Sequence, residues 1–159
     1  MAQLRLIVLA LASCAASEAA PAPDAIAVPK GWVADPALAK AASGAAGPAV
    51  THSDAWSDPA RGCYALAIDL HGGAVAIDVA AEQLLAALGE AGVKPHDVAK
   101  PAPGERGMLV LGFDRGGYRG KLRAELVNTG DVHALACVWN QREPKVCEAG
   151  CATLLGGAK

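Results

Sequence analysis

Regular alternation of apolar and polar side chains predicts several strands in this chain. Residues 118–127 have Leu122, Ala124 and Leu126 on one side and Lys121, Arg123 and Glu125 on the other. A period of two residues is that of a strand with one buried face, so the leucine side is expected to point into the core. Residues 63–70 alternate similarly, and their expected buried face carries Tyr64, Leu66, Ile68 and Leu70.

An uninterrupted apolar run at residues 108–113 predicts a central strand that is covered on both faces. Turn sequences rich in Gly, Asp and Asn follow at residues 114–117 and 128–131, and a further strand is expected at residues 132–140. These segments predict a three-strand antiparallel meander.

Two helices are expected. Residues 77–92 carry an apolar stripe at helical spacing, formed by Leu84, Leu85, Leu88 and Ala91. Asp78 is the predicted N-cap, Glu82 suits the first turns, and Gly92 suits a left-handed C-cap. A short strand is expected at residues 93–98. Pro144 suits the first turn of a terminal helix from Glu143 to about Leu155.

The region before the first strand is punctuated by Pro and Gly, and residues 37–49 predict a loop or a weak helix, with Trp32 docked on the domain. The expected fold class is α+β: an antiparallel sheet, built from a strand, a helix and a three-strand meander, has its helices on one side. The C-terminal helix packs on one face of this sheet, and disulfides brace it.

The N-terminus has the pattern of an export signal. Arg5 precedes an apolar stretch, and small residues follow. Leu11-Ala12-Ser13-Cys14 resembles the bacterial lipobox, which implies acylation of Cys14, and Ala15 after it implies sorting to the outer membrane. The alternative is ordinary secretion with cleavage near Ser17-Glu18-Ala19. We expect a signal peptide at 1–13, an Ala/Pro-rich tether at 14–29 and one domain at 30–159.

The other four cysteines predict two disulfides, because their number is even and the expected compartment is oxidising. Cys147 and Cys151 lie one helical turn apart, where a mutual bond fits disulfide geometry poorly. Each is therefore expected to bond to a strand cysteine. The pairs Cys137–Cys151 and Cys63–Cys147 are favoured, and the crossed pairing stays open.

The CxxxC spacing of Cys147 and Cys151 also allows a second interpretation. Paired thiolates can hold Cu(I) or exchange disulfides, as in copper-delivery proteins of the thioredoxin type. Those proteins place the motif early and directly after a strand, whereas here it lies on the last helix. The structural disulfides are therefore preferred, and no cofactor is expected.

Charge and composition narrow the function further. The formal net charge is -2, whereas nucleic-acid binders are usually strongly basic. Aromatic residues make up only 4%, so small side chains build much of the core and cross-links would help its stability. Arg119, Lys121 and Arg123 share an outward strand face that could touch an anionic surface, although Glu125 interrupts it and a solvated face is preferred.

His71, beside Asp69, and His133 could serve acid–base chemistry, because histidine titrates near neutral pH. No familiar catalytic motif accompanies them, and two partly exposed histidines at strand ends are the preferred interpretation.

The order of elements over residues 28–156 resembles the PsbP-like fold, through the start Val28-Pro29-Lys30-Gly31-Trp32, the meander and the closing helix. Residues 37–49 depart from it. The resemblance implies a non-catalytic accessory or binding domain. We therefore expect an envelope lipoprotein with a membrane anchor and an envelope protein or glycan as partner.

Overall fold

The structure is a computed structural model, and it describes residues 26–141 and 144–156. In chain order the elements are β1 (Val33–Ala34), α1 (Pro36–Ala46), β2 (Val50–Asp58), β3 (Cys63–His71), α2 (Ile77–Glu90), β4 (Lys94–Ala99), β5 (Arg106–Arg115), β6 (Tyr118–Val127), β7 (Asp131–Asn140) and α3 (Pro144–Gly156). The strands form one seven-stranded antiparallel sheet in the order β1-β2-β3-β7-β6-β5-β4. The α+β class is confirmed. Two residues with predicted roles lie outside the described residues: Cys14, the expected acylation site, and Glu143, the expected start of the terminal helix.

The sheet has a core on each face. On the cysteine face, α3 covers Cys63 and Ala65 of β3 and Cys137 and Trp139 of β7. On the opposite, leucine face, α2 covers the buried residues Leu109, Leu111, Leu122, Ala124 and Leu126. Helix α1 also packs on the leucine face, since Ser53 Oγ of β2 donates to the Ala39 carbonyl. The expectation that the helices share one side is therefore wrong. The sheet has apolar side chains on both faces, and helices must cover both to keep them from water.

The prediction for the buried side of β6 is confirmed, but two other burial predictions are wrong. In β3 the fully buried positions are Cys63 and Ala65, while Tyr64, Leu66, Ile68 and Leu70 are only half-buried. On β3 the cysteine face is therefore more deeply buried than the leucine face, although the leucine face carries the larger side chains. In β5, Val110 remains 41% exposed, so this strand is not covered on both faces. Within the described part of the chain, α3 packs mainly on β7 and not on β5.

Helix α2 begins one residue before the predicted N-cap. Its N-cap is Ala76, which makes no side-chain cap bond, and Asp78 lies within the first turn. Asp78 still stabilises the helix there by facing the positive end of its dipole. At the other end Gly92 has φ +75°, as expected, and Val93 N–H donates to the Leu88 carbonyl. This is the hydrogen bond of a Schellman motif.

The N-terminal part of the domain is more regular than its sequence suggests. Helix α1 begins after Asp35, whose carboxylate accepts a hydrogen bond from Leu38 N–H, and Pro36 occupies the first turn. Asp followed by Pro is a recognised start signal, and it was available in the sequence. Strand β2 was missed because polar residues at 51–54 interrupt its apolar pattern. Trp32 docks against the core of the cysteine face, as predicted.

None of the described helices combines enough length with enough apolar character to cross a membrane.

Candidate functional site

Two disulfides join α3 to the sheet. Cys63 is bonded to Cys147 across a Cα–Cα distance of 5.4 Å, and Cys137 is bonded to Cys151 across 5.7 Å. These are the pairs that the sequence favours. All four cysteines are at most 1% exposed, and Leu154 completes the apolar side of the helix. Helix α3 is therefore held against two neighbouring strands at two points one turn apart.

The disulfides also decide what Cys147 and Cys151 can do in this state. Each sulfur is bonded to a strand cysteine and buried, so neither is a thiolate that could hold copper or attack a disulfide. Among residues 26–141 and 144–156, no group of three or more His, Cys, Asp or Glu side chains is placed to hold a metal ion. The metal and redox interpretation would require both bonds to be reduced.

Beyond the edge of α3, the cysteine face opens into a cleft of about 410 Å³ over β4, β5 and β6. Its wall and floor include His96, Val110, Gly112, Lys121, Trp139 and Glu148. The first four belong to the open strands, Trp139 to β7 and Glu148 to α3. The cleft therefore lies between the braced helix and the free half of the sheet, and its size is within the range of small-molecule sites.

His96 lies flat over Gly112, its partner across the β4–β5 ladder. A Cβ at residue 112 would come within 2.7 Å of the His96 Nδ1 atom, so only glycine leaves room for the imidazole. The same Nδ1 atom is 2.8 Å from Asp97 Oδ2, and Nε2 is 3.6 Å from Asp114 Oδ2. Asp97 has φ +51° at an irregularity in β4, which turns this edge of the sheet.

Asp114 connects the strands beside the cleft. Its Oδ1 atom accepts hydrogen bonds from Arg119 Nε at 3.1 Å and from Gln141 Nε2 at 3.0 Å. The Arg119 hydrogen bond is the main cause that lowers the pKa of Asp114, with the charges of Arg119 and His96 adding to it against a desolvation cost. The positive charge of Arg119 is therefore largely neutralised by the carboxylate of Asp114.

Several polar groups at the cleft lack a hydrogen-bond partner within the described residues, the buried His96 Nε2 atom among them. Lys121 Nζ and the Glu148 carboxylate make no hydrogen bond or ion pair there, and they do not pair with each other. Trp139 is 1% exposed, and its indole Nε1 is buried with no hydrogen-bond partner. A buried donor without a partner is uncommon, because its desolvation costs free energy.

The row of basic residues on β6 is on one face, as predicted, but its members have different roles. Arg119 binds Asp114, and Arg123 Nη1 donates to the Leu155 carbonyl at 3.0 Å. Arg123 therefore caps the C-terminal end of α3. Lys121 alone keeps a side chain without a described partner.

His71 and His133 are on the same face but are not paired with each other. His71 Nδ1 is 2.6 Å from Asp131 Oδ1, and His133 Nδ1 is 3.0 Å from Asp69 Oδ1. The two residues of each pair are directly opposed on β3 and β7. These pairs link neighbouring strands, and all four side chains are at least one-third exposed.

Sequence reasoning did not identify His96, Trp139 or Glu148 as site residues. His96 meets Gly112 only through the register of β4 on β5, and Glu148 reaches the cleft only because the disulfides orient α3. No local signal marks either position. Gly112 within an apolar run was the one available clue, since glycine in a strand often marks a close approach.

Fold and site define a disulfide-braced α+β domain with an open, mixed-charge cleft. No family model matches the chain, and no curated protein matches it either. Its two disulfides are typical of an oxidising, extracytoplasmic compartment.

Proposed function

We propose that this protein is an exported lipoprotein, anchored to the cell envelope through an acylated Cys14, and that it acts as a binding or assembly module rather than as a catalyst. The cleft on the cysteine face carries the binding part of the proposal. It combines a concave surface with unpartnered polar groups, and two disulfides hold the adjoining helix in place. A preformed site of this kind loses little conformational entropy on binding.

The anchor is supported by the sequence Leu11-Ala12-Ser13-Cys14 at the end of the apolar stretch. Each buried acyl methylene contributes about 0.8 kcal/mol, so two or more chains would hold the protein on a membrane durably. Ala15 supports the outer membrane, with the domain facing the periplasm. The resemblance to the PsbP-like fold supports an accessory role there, with an envelope protein or glycan as partner.

Labelling with tritiated palmitate tests the anchor. Wild-type protein should incorporate the label, and Cys14→Ala should not. Ser13→Ala is the matched control, because it exchanges one small residue for another beside Cys14 and should keep the label. Persistent labelling of Cys14→Ala would contradict the anchor, as would a mature N-terminus beyond residue 14 by mass spectrometry.

A pull-down from envelope extract tests the binding role. The full wild-type chain is compared with Lys121→Ala, which alters the cleft, and with Lys145→Ala, an exposed position on α3 outside its lining. We expect a partner that is captured by wild type and by Lys145→Ala and is reduced with Lys121→Ala. Equal recovery by all three would place partner binding on another surface.

A further inference from the structure

We propose that the cleft binds a small zwitterion, with the anionic group of the ligand at Lys121 and Trp139 and its cationic group at Glu148. This inference rests on the proposed binding function and specifies the class of ligand.

The anionic side is formed on β6 and β7. Lys121 is opposite Cys137, and Trp139 lies two residues farther along β7 on the same face. Such diagonal neighbours are roughly 7–8 Å apart, so an ammonium and an indole N–H can converge on one carboxylate or phosphate oxygen. The buried Trp139 Nε1 has no partner in the described structure, and a ligand oxygen would satisfy it.

The cationic side is formed by α3. Glu148 directly follows Cys147, so the disulfide positions the exposed Glu148 at the margin of the cleft. Its carboxylate has no ion-pair partner among the described residues. Asp97, at the β4 side, is already 2.8 Å from His96. Glu148 is therefore the acidic group best placed to receive a ligand cation.

The distribution of charge favours a zwitterion over a simple anion. Lys121 is the one basic side chain of the cleft that has no acidic partner in the described residues, since Arg119 and His96 each contact a carboxylate. A purely anionic ligand would gain at Lys121 but would be repelled by Glu148. A zwitterion is attracted at both ends, and Val110, 41% exposed on the floor, can contact its apolar body.

The test uses the full chain, purified from the producing cells in detergent and labelled with ¹⁵N-tryptophan. The probe is the dipeptide alanyl-alanine, and its charge-blocked relatives N-acetyl-alanyl-alanine and alanyl-alanine amide are matched controls. We expect saturable shifts of the Trp139 indole N–H signal with alanyl-alanine that exceed those of Trp32 and Trp56. Each blocked dipeptide should bind at least about tenfold more weakly, since it loses one charge-assisted contact.

Matched variants distinguish binding in the cleft from nonspecific electrostatic attraction to the protein surface. Lys121→Ala and Glu148→Gln should each weaken binding at least about tenfold, whereas Lys145→Ala and Glu90→Gln, outside the cleft, should leave it within about twofold. No saturable shift with either alanyl-alanine or phosphoethanolamine, equal binding of the blocked dipeptides, or equal effects of the two variant pairs would overturn the proposal.

Phosphoethanolamine, titrated in parallel, identifies the source of the zwitterion. Tighter binding of this probe than of the dipeptide supports a lipid headgroup, whereas the reverse supports an amino acid or peptide. Failure of both probes overturns the zwitterion site. If the palmitate and pull-down results still hold in that case, the proposed function stands and only the assignment of a zwitterionic ligand fails.

Discussion

Cys63 on β3 is bonded to Cys147 on α3, and this bond spans 84 residues of sequence. The second bond, between Cys137 and Cys151, spans only 14. In the chain-entropy model these loops correspond to stabilisation of about 4.5 and about 3 kcal/mol. We therefore expect the double variant Cys63→Ala/Cys147→Ala to lose more unfolding free energy than Cys137→Ala/Cys151→Ala, as measured by urea denaturation.

All four cysteines are buried in one cluster, so cavity formation should lower both stabilities similarly, and the difference reports mainly on loop length. A larger loss for the short loop would contradict the entropic explanation. Peptide mapping without reduction should recover the two native pairs from wild type. Recovery of the crossed pairs would contradict the arrangement of α3.

The disulfide pairing illustrates what the sequence could predict. Helical spacing correctly places Cys147 and Cys151 on one side of α3, whereas strand alternation predicted the wrong face of β3, the one opposite Cys63, as the buried one. These arguments depend only on local periodicity. The choice between direct and crossed pairs depends on the direction in which α3 crosses the strands, which no local pattern determines.

Features that depend on strand register could not be predicted. The cleft requires β4 to pair with β5 so that His96 faces Gly112, and it requires α3 to leave β5 uncovered. Strand β2 could not be predicted because the polar residues His52 and Asp54 interrupt the apolar pattern that indicates a strand. Those two side chains contact each other at 2.9 Å on an exposed surface, so they need no apolar environment.

Arg123 should stabilise the end of α3. Its Nη1 atom donates to the Leu155 carbonyl, and its Nε donates to Met108 Sδ at 3.3 Å. A cation near a helix C-terminus favours the negative end of the dipole. Arg123→Ala is expected to lower the unfolding free energy by about 1 kcal/mol. Lys121→Ala, on the same strand face, should change it by less than about 0.5 kcal/mol, and equal losses in thermal unfolding would contradict the capping role.

Two glycine substitutions should have opposite effects on stability. Gly107 lies under Pro101 and Ile77, and a Cβ there would come within 2.7 Å of Ile77 Cγ2. Gly107→Ala should therefore cost about 1–3 kcal/mol by overpacking. Gly44 is within α1, and a Cβ there meets no atom within 4 Å. Gly44→Ala should add about 0.5–1 kcal/mol, because alanine loses less entropy in a helix. Urea unfolding measures both, and a shared sign would contradict this packing account.

The carboxylate of Asp131 should remain charged at a lower pH than an ordinary aspartate. Its pKa is lowered below 3.8, first by the hydrogen bond from His71, next by that from Thr129, and least by the charge of His133, while desolvation opposes the change. A depressed folded-state pKa means that the folded chain binds this proton less readily than the unfolded chain. The associated stability is present above the ordinary aspartate pKa, and it is lost as pH falls through the lowered value.

Carboxyl ¹³C NMR titration of Asp131 measures this shift directly. His71→Ala should raise the Asp131 pKa most, Thr129→Val less, and His133→Ala least, because this is the order of their contributions. Thr129→Val keeps the shape of the side chain but removes the hydroxyl, whose Oγ1 donates to Asp131 Oδ2 at 2.7 Å. If His133→Ala raised the pKa more than His71→Ala, the direct hydrogen bond would not be the main cause. Asp131 would then respond chiefly to the charge of His133, which lies two residues along the same strand, β7.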